Sequence, residues 1–249
     1  MQNTLLIGLS RQVALGRELD VVANNIANVN TTGFKADGSI FEEFLNSNAR
    51  ADQTGNRVSF VRDRGTWHDL SSGAVEKTGN PLDIAIDGKG FLVVQTPRGE
   101  RYTRNGSFQI SNTGELVTSE GSQVMGEAGP IKFQPTDNQI SISGDGTISV
   151  REGNATTDSQ RGTLRMVTLD AANLQKDGAS TFSTVTGTPA PTKGSRIMQG
   201  MVEKSNVRAV VEMTRMIEVT RSYTQIAAML SQQADMQRSS LTKLAEVPN

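Results

Sequence analysis

The stretch VEKSNVRAVVEMTRMIEVTRSYTQIAAMLSQQADMQRSSLTKL, Val202 to Leu244, contains neither glycine nor proline and repeats its apolar residues on a four-three spacing. Val202, Ala209, Met213, Met216, Tyr223, Ala227, Leu230, Ala234, Leu241 and Leu244 hold that register, with Asn206, Thr220 and Gln237 as its polar members. Residues at i, i+3, i+4 and i+7 share one helical face, so the pattern predicts a seam for another helix. A continuous helix of about 40 residues spans ~60 Å, roughly twice the width of a small domain. Such a stripe needs a partner beyond one short β domain.

The other end of the chain supplies a candidate. Met1, Leu5, Leu15, Leu19, Val22, Ile26 and Val29 form a second stripe, with Gly8 and Gln12 at its weak places. Asn3 or Thr4 can cap this helix, and Thr31, Thr32 and Gly33 stop it near Asn30.

Between the ends the period changes. Leu82, Ile84 and Ile86 alternate with Asp83, Ala85 and Asp87, the period-two sign of a half-buried strand. Asp87 to Gly90 reads as a turn, Phe91 to Val94 as a returning strand, and Asn105-Gly106 as a hairpin signal between Tyr102-Thr103 and Phe108. Further strands are predicted around Ile140, Ile142, Ile148 and Val150, and over Thr163 to Leu169. Before this region lie an apolar patch at Ile40, Phe41, Phe44 and Leu45, read as a helical turn or two, and a polar connector over 46–75. That connector holds short strand candidates at Val58 to Val61 and Thr66 to Leu70. The predicted organisation is an N-terminal helix over 1–32, a connector over 33–75, a central β domain over 76–200 and a C-terminal helix over 201–249. The fold class is α+β, with the terminal helices pairing in a coiled-coil-like manner around a central, mainly antiparallel β domain.

Composition narrows the function. The 249 residues carry 25 basic and 26 acidic side chains, so no basic face for nucleic acid and no polybasic membrane anchor is expected. The chain has no cysteine, which excludes disulfides, thiolate catalysis and cysteine-ligated metal. The apolar run Leu5 to Leu9 is far shorter than a signal-peptide core, and nothing approaches the roughly 20 apolar residues of a membrane span. Export, if it occurs, is expected to use a route without a cleaved signal.

Catalytic and metal constellations are weak. His68 is the single histidine, which rules out a Ser-His-Asp triad or two-histidine site within one chain, and it reads as a solvated side chain of the connector. Asp83 and Asp87 lie ~13 Å apart if both are on one strand, too far for a carboxylate pair. Gly88-Lys89-Gly90 lacks the third glycine, the helix and the acidic residue of a dinucleotide site. Asp145-Gly146 reads as a tight turn, and Met213, Met216, Met229 and Met236 as packing residues. No metal and no cofactor is expected. The asparagines are harder to dismiss. Asn24, Asn25, Asn28 and Asn30 crowd the last turns of a helix although asparagine is a poor helix former. They form either a solvated face or, for Asn24, Asn25 and Asn28, a set of amides that hydrogen-bond to neighbouring subunits.

LDVVANNIANVNTTGFK, Leu19 to Lys35, resembles the N-terminal signature of the flagellar basal-body rod and hook protein family. GNPLDIAIDGKGFLVV, Gly79 to Val94, and YTRNGSF, Tyr102 to Phe108, are similar to its middle segment, and QGMVEKSNVRAVVEMTRMIEVTRSY, Gln199 to Tyr223, to its C-terminal signature. The resemblance implies a structural subunit of the bacterial flagellar rod, exported by the flagellar type III apparatus and assembled with other rod proteins and copies of itself across the periplasm. The terminal helices would form the inner domain of that tube, with the β domain outside. Length excludes a full hook protein and favours the proximal rod, a distal-rod subunit being the alternative. Leu15, Leu19, Val22, Ile26, Met213, Met216, Tyr223, Ala227 and Leu230 are the expected helix-pair and assembly residues. A cell-wall hydrolase using Asp83 or Asp87, and a regulatory adaptor using the C-terminal helix, are the competing function classes.

Overall fold

The computed structural model describes residues 2–50, 57–153, 156–192 and 194–245. Two helices bracket the chain, α1 over Gln2–Ala27 and α2 over Ala209–Ala245, and everything described between them is strand, turn or loop apart from one 3-10 turn at Ala171–Asn173. The architecture is α+β with an antiparallel β region. Contacts divide it into two compact units.

The first unit holds both helices together with residues Asp37–Asp69. These last do not form a connector. β1, Asp37–Arg50, pairs antiparallel with β2, Arg57–His68, in a two-stranded ribbon whose register runs from Asp37 opposite His68 to Phe44 opposite Phe60. The helical turn expected at Ile40 to Leu45 is therefore absent. Phe41, Phe44, Val58, Phe60 and Val61 are aromatic or β-branched, and such side chains favour a pleated surface once a partner strand is available. The partner lies outside any short sequence window, so the spacing at 40–45 imitates a helix.

The second unit comprises Asn28–Ala36 and Leu70–Val207. Its main sheet is antiparallel, in the order Leu174–Lys176, Thr181–Thr184, Gly99–Thr103, Gly90–Thr96, Gln123–Gly126, Leu116–Thr118, Phe108–Ile110. Gly90–Thr96 sits near the centre and is buried on both faces. Leu92 and Val94 enter a core with Ile84, Phe108, Leu116 and Ile148, while Phe91 and Val93 enter a second core with Tyr102, Val167 and Phe182. A meander of Asp137–Ile142, Thr147–Glu152 and Asp158–Thr163 adds Ile148 and Val150 to the first core.

Two details correct the sequence reading of this unit. Ile84, Ala85 and Ile86 are all buried, so their strand is not half exposed; it is covered on both sides and pairs with Arg196–Gln199. Asn105-Gly106 is not a hairpin turn, because Gly99–Thr103 and Phe108–Ile110 have different partners. It is a crossing point instead. The Gly106 carbonyl accepts from Ile84 N at 2.9 Å, and a Cβ at Gly106 would lie 1.9 Å from the Ile84 carbonyl oxygen. The C-terminal element also begins later than predicted. Met201–Glu203 is a strand paired with Val75–Lys77, and α2 starts only at Ala209.

A buried charge cluster closes this unit. Glu203 is fully buried, and its Oε1 accepts from Lys35 Nζ at 2.6 Å and from Gly73 N at 2.9 Å. Its Oε2 accepts from Arg104 Nη1 at 3.2 Å, and its backbone carbonyl from Gly33 N at 2.7 Å. Arg104 also donates to the carbonyls of Ile86 and Gly88, and Lys35 to that of Ser71. Burial pushes the Arg104 guanidinium below its ordinary value, while Glu203 pulls it back up. Phe34 is buried beneath Lys176, whose Nζ stands 3.6 Å from the ring centroid and donates to the Lys35 carbonyl. Asn206 accepts from Ala36 N at 2.7 Å and donates to Ser71 O. The four motifs quoted above thus meet at one point.

Removing one partner of a buried ion pair leaves an uncompensated charge. Glu203→Gln is expected to destabilise this unit by ~3–5 kcal/mol in urea unfolding of the full chain, whereas Arg151→Gln, at an exposed pair with Asp158, should change stability by less than about 1 kcal/mol. Arg161 holds the Asp137 carboxyl below its ordinary value, with bonds of 2.7 and 2.5 Å. A depressed carboxylate contributes stability above about pH 4 and loses it as the pH falls through the folded value. The acid limb of a stability-versus-pH curve should therefore be shallower in Asp137→Asn than in the parent chain.

Candidate functional site

The terminal helices pack on each other within the first unit. Gly8 makes room for α2: a Cβ there would meet Leu230 Cδ2 at 2.7 Å. One turn of charge fixes them further along, where Arg215 Nε and Nη2 reach Glu18 Oε1 at 2.9 and 2.8 Å. On α1 the buried positions are Gly8, Ala14, Val22 and Asn25, with Leu15, Leu19 and Ile26 partly covered.

The covered face of α2 is rotated from the expected register. Glu212, Met216, Val219, Tyr223, Ile226, Leu230, Gln233 and Gln237 are partly or wholly covered, again on an alternating four-three spacing. Met216, Tyr223 and Leu230 belong to both registers, and Ala227 is also partly covered. Met213 and Thr220 are exposed, their places being taken by Glu212 and Val219. With 3.6 residues per turn, a position shared by both registers can be flanked by i−3 or i−4, and the sequence admits either. Contact with α1 selects one.

Part of what is left outside is apolar. Leu6, Leu9 and Val13 are exposed on α1, and Val210, Met213 and Ile217 on α2, each set at three-four spacing. Val210 is 77% exposed. Met229 and Met236 lie exposed further along. Each helix therefore carries an apolar row directed away from its described contacts as well as one within them.

The asparagines divide. Asn25 is 1% exposed, and its amide forms a two-point clamp on the backbone of one residue, donating to Asp37 O at 2.8 Å and accepting from Asp37 N at 2.9 Å. Its side chain is committed within the chain, holding the end of α1 against the start of β1. Asp37 Oδ1 in turn meets His68 Nδ1 at 2.7 Å, across the first register pair of the ribbon. His68 is thus covered and paired rather than solvated. The strand pairing that brings it to Asp37 could not be read from either segment alone. Asn28 stabilises the turn that ends α1, accepting from Thr31 N and Thr31 Oγ1, and Asn24 is exposed.

Asp83 is buried and accepts from Ser107 Oγ at 3.2 Å, while Asp87 is exposed, so the two carboxylates do not converge. Among the described residues no group of three or more His, Asp or Glu side chains is arranged to hold a metal ion, and no helix is long and apolar enough to cross a membrane.

Three family models match the chain: flagella basal body rod protein over residues 5–35, the flagellar hook protein FlgE/F/G D1 domain over 85–150, and flagellar basal body rod FlgEFG protein C-terminal over 198–244. The flagellar basal-body rod protein FlgF of Caulobacter vibrioides is 39% identical, covering 99% of this chain and 100% of its own length. That of Mesorhizobium japonicum is 37% identical over 94% of each. The flagellar basal-body rod protein FlgG of Bacillus subtilis is 33% identical, over 90% of this chain and 92% of its own. Matches at both ends and the middle, continuous with near full-length relatives, place the sequence: the chain belongs to the flagellar basal-body rod protein family, structural subunits of the bacterial flagellum.

Proposed function

We propose that this structural rod subunit belongs to the proximal rod and polymerises through its terminal helices. The observation that carries the reading is the second apolar row on each helix, Leu6, Leu9 and Val13 on α1 and Val210, Met213 and Ile217 on α2. An exposed row at helical spacing gains most when another helix covers it. Neighbouring rod subunits, including copies of this chain, supply such helices, and the contacts between identical neighbours would be heterologous, as a tube requires. In this reading Leu15, Leu19, Val22, Ile26, Met216, Tyr223, Ala227 and Leu230 make a coiled-coil-like pair, Met213 faces the next subunit, and Asn24 and Asn28 add polar contacts that set axial position. The assembled rod crosses the periplasm and transmits torque, and no catalytic step enters. Its subunits arrive through the flagellar type III export apparatus without a cleaved signal.

Assignment to the proximal rod is supported by the 39 and 37% identity of the two FlgF proteins named above, against 33% for the Bacillus subtilis FlgG. A distal-rod subunit is the second reading, favoured by that same FlgG match over 90% of the chain.

Ile217→Asp lies on the exposed row and should alter the stability of the isolated chain by no more than ~0.5 kcal/mol. The variant should nevertheless be missing from purified basal bodies and leave cells non-motile; normal incorporation would sink the helix-row reading. Long helices with one face uncovered gain little alone. Hydrogen exchange on a verified monomer should accordingly find weak amide protection along residues 209–244 and strong protection along 90–96, with uniform strong protection of α2 as the contrary result.

A further inference from the structure

Arg104 is only 2% exposed, and its two terminal nitrogens find Glu203 and the carbonyls of Ile86 and Gly88. Its Nε–H, also buried, has no acceptor among the described residues. A buried guanidinium N–H left without an acceptor carries its full desolvation cost, so its presence in a closely tied cluster asks for a partner from outside the chain. Beside it lies a cavity of about 340 Å³. Arg104 and the exposed Lys89 bring positive charge to its lining, Ser71 and Thr168 bring hydroxyls, and Phe91 and Leu169 form apolar wall. Phe91 is also the ring over which the Arg104 guanidinium is stacked, 5.4 Å from centroid to Cζ. Among the described residues, no acidic side chain lines the cavity.

We propose that this cavity receives the carboxylate of an aspartate or glutamate side chain from a neighbouring rod subunit. A carboxylate supplies the acceptor that Arg104 Nε–H lacks, and a charge-assisted bond to a guanidinium is among the stronger hydrogen bonds available to a protein. The exposed Lys89 adds a second cation to the lining that such a carboxylate meets. The apolar wall suits the methylene stem of an acidic side chain, which a bare inorganic anion does not have. The volume exceeds that of a single carboxylate, so the inserted residue brings its stem with it. This proposal rests on the reading of the chain as an assembled rod subunit.

The test is zero-length carbodiimide cross-linking of intact basal bodies, which joins an amine to a carboxylate already in contact with it. Mass spectrometry should find Lys89 joined to an aspartate or glutamate of another rod polypeptide. The link should vanish in Lys89→Gln and fall at least tenfold in Ala171→Trp, which narrows the cavity from an exposed position. In the isolated full-length chain, butyrate should shift the Arg104 Nε–H resonance saturably, and sodium chloride at equal ionic strength should not. Rods that contain the chain and cross-link at other lysines but not between polypeptides at Lys89 would overturn the proposal while leaving the rod assignment intact. Absence of the chain from rods would overturn the reading beneath it. Saturable butyrate binding without the inter-polypeptide link would also overturn the proposal, assigning the cavity to a free carboxylate.

Discussion

Glu203 sits out of contact with solvent and is held by two cations that reach it from 168 and 99 residues earlier in the chain. A buried carboxylate is tolerated only when its charge and lone pairs are answered, and here Lys35, Arg104 and the backbone N–H of Gly73 answer them, while the N–H of Gly33 donates to the backbone carbonyl of Glu203. The requirement propagates outward. Gly33 takes a left-handed φ of +68° and passes so close to Asn105 that a Cβ would fall 2.3 Å from its nitrogen. Gly73 passes Lys204 with even less room, 1.9 Å from its carbonyl oxygen. These glycines bring backbone donors to one residue, Gly73 to the carboxylate of Glu203 and Gly33 to its main-chain carbonyl. The segment after α1, the edge of the β unit and the segment before α2 are fastened at the same point.

This arrangement gives the motifs that carry the family resemblance a physical meaning. Thr-Thr-Gly-Phe-Lys, Tyr-Thr-Arg-Asn-Gly and Glu-Lys-Ser-Asn-Val are far apart in sequence, yet they contribute Lys35, Arg104 and Glu203 to one cluster and Phe34 and Asn206 to its flanks. Their role in the isolated chain is structural. The surface proposed for assembly is a different one, the exposed apolar rows of the two helices, of which the α2 row falls within the C-terminal signature itself. An exposed apolar row gains nothing from burial while it is uncovered, so these rows add no stability to the isolated chain.

The intramolecular part of the candidate site was only partly legible in advance. Val22, Met216, Tyr223 and Leu230 follow from periodicity alone, because a helix presents every third and fourth residue to the same neighbour. Met213 shows where that reasoning stops. Its apolar side chain fits the four-three spacing as well as Glu212 does, and better by hydrophobicity, but Glu212 occupies the covered side. Asn25 shows the complementary case. The oddity of asparagines late in a helix suggests a partner in a neighbouring subunit, whereas the Asn25 amide is bonded to the backbone of Asp37 of its own chain, across a turn whose path no local pattern specifies.

Sequence alone determined the two terminal helices, the central strands around Ile84 to Val94 and Ile140 to Val150, and the family. Each of these rests on local periodicity or on a motif read within one segment. Tertiary structure decided the rest. The ribbon of β1 and β2 replaced an expected connector because strand pairing is a property of two segments, and neither Ile40 to Leu45 nor Val58 to Val61 carries it alone. The rotation of α2, the His68–Asp37 pair and the shared carboxylate of Glu203 have the same origin. Their energies come from burial and from charges brought close together, and both exist only once residues distant in sequence have met.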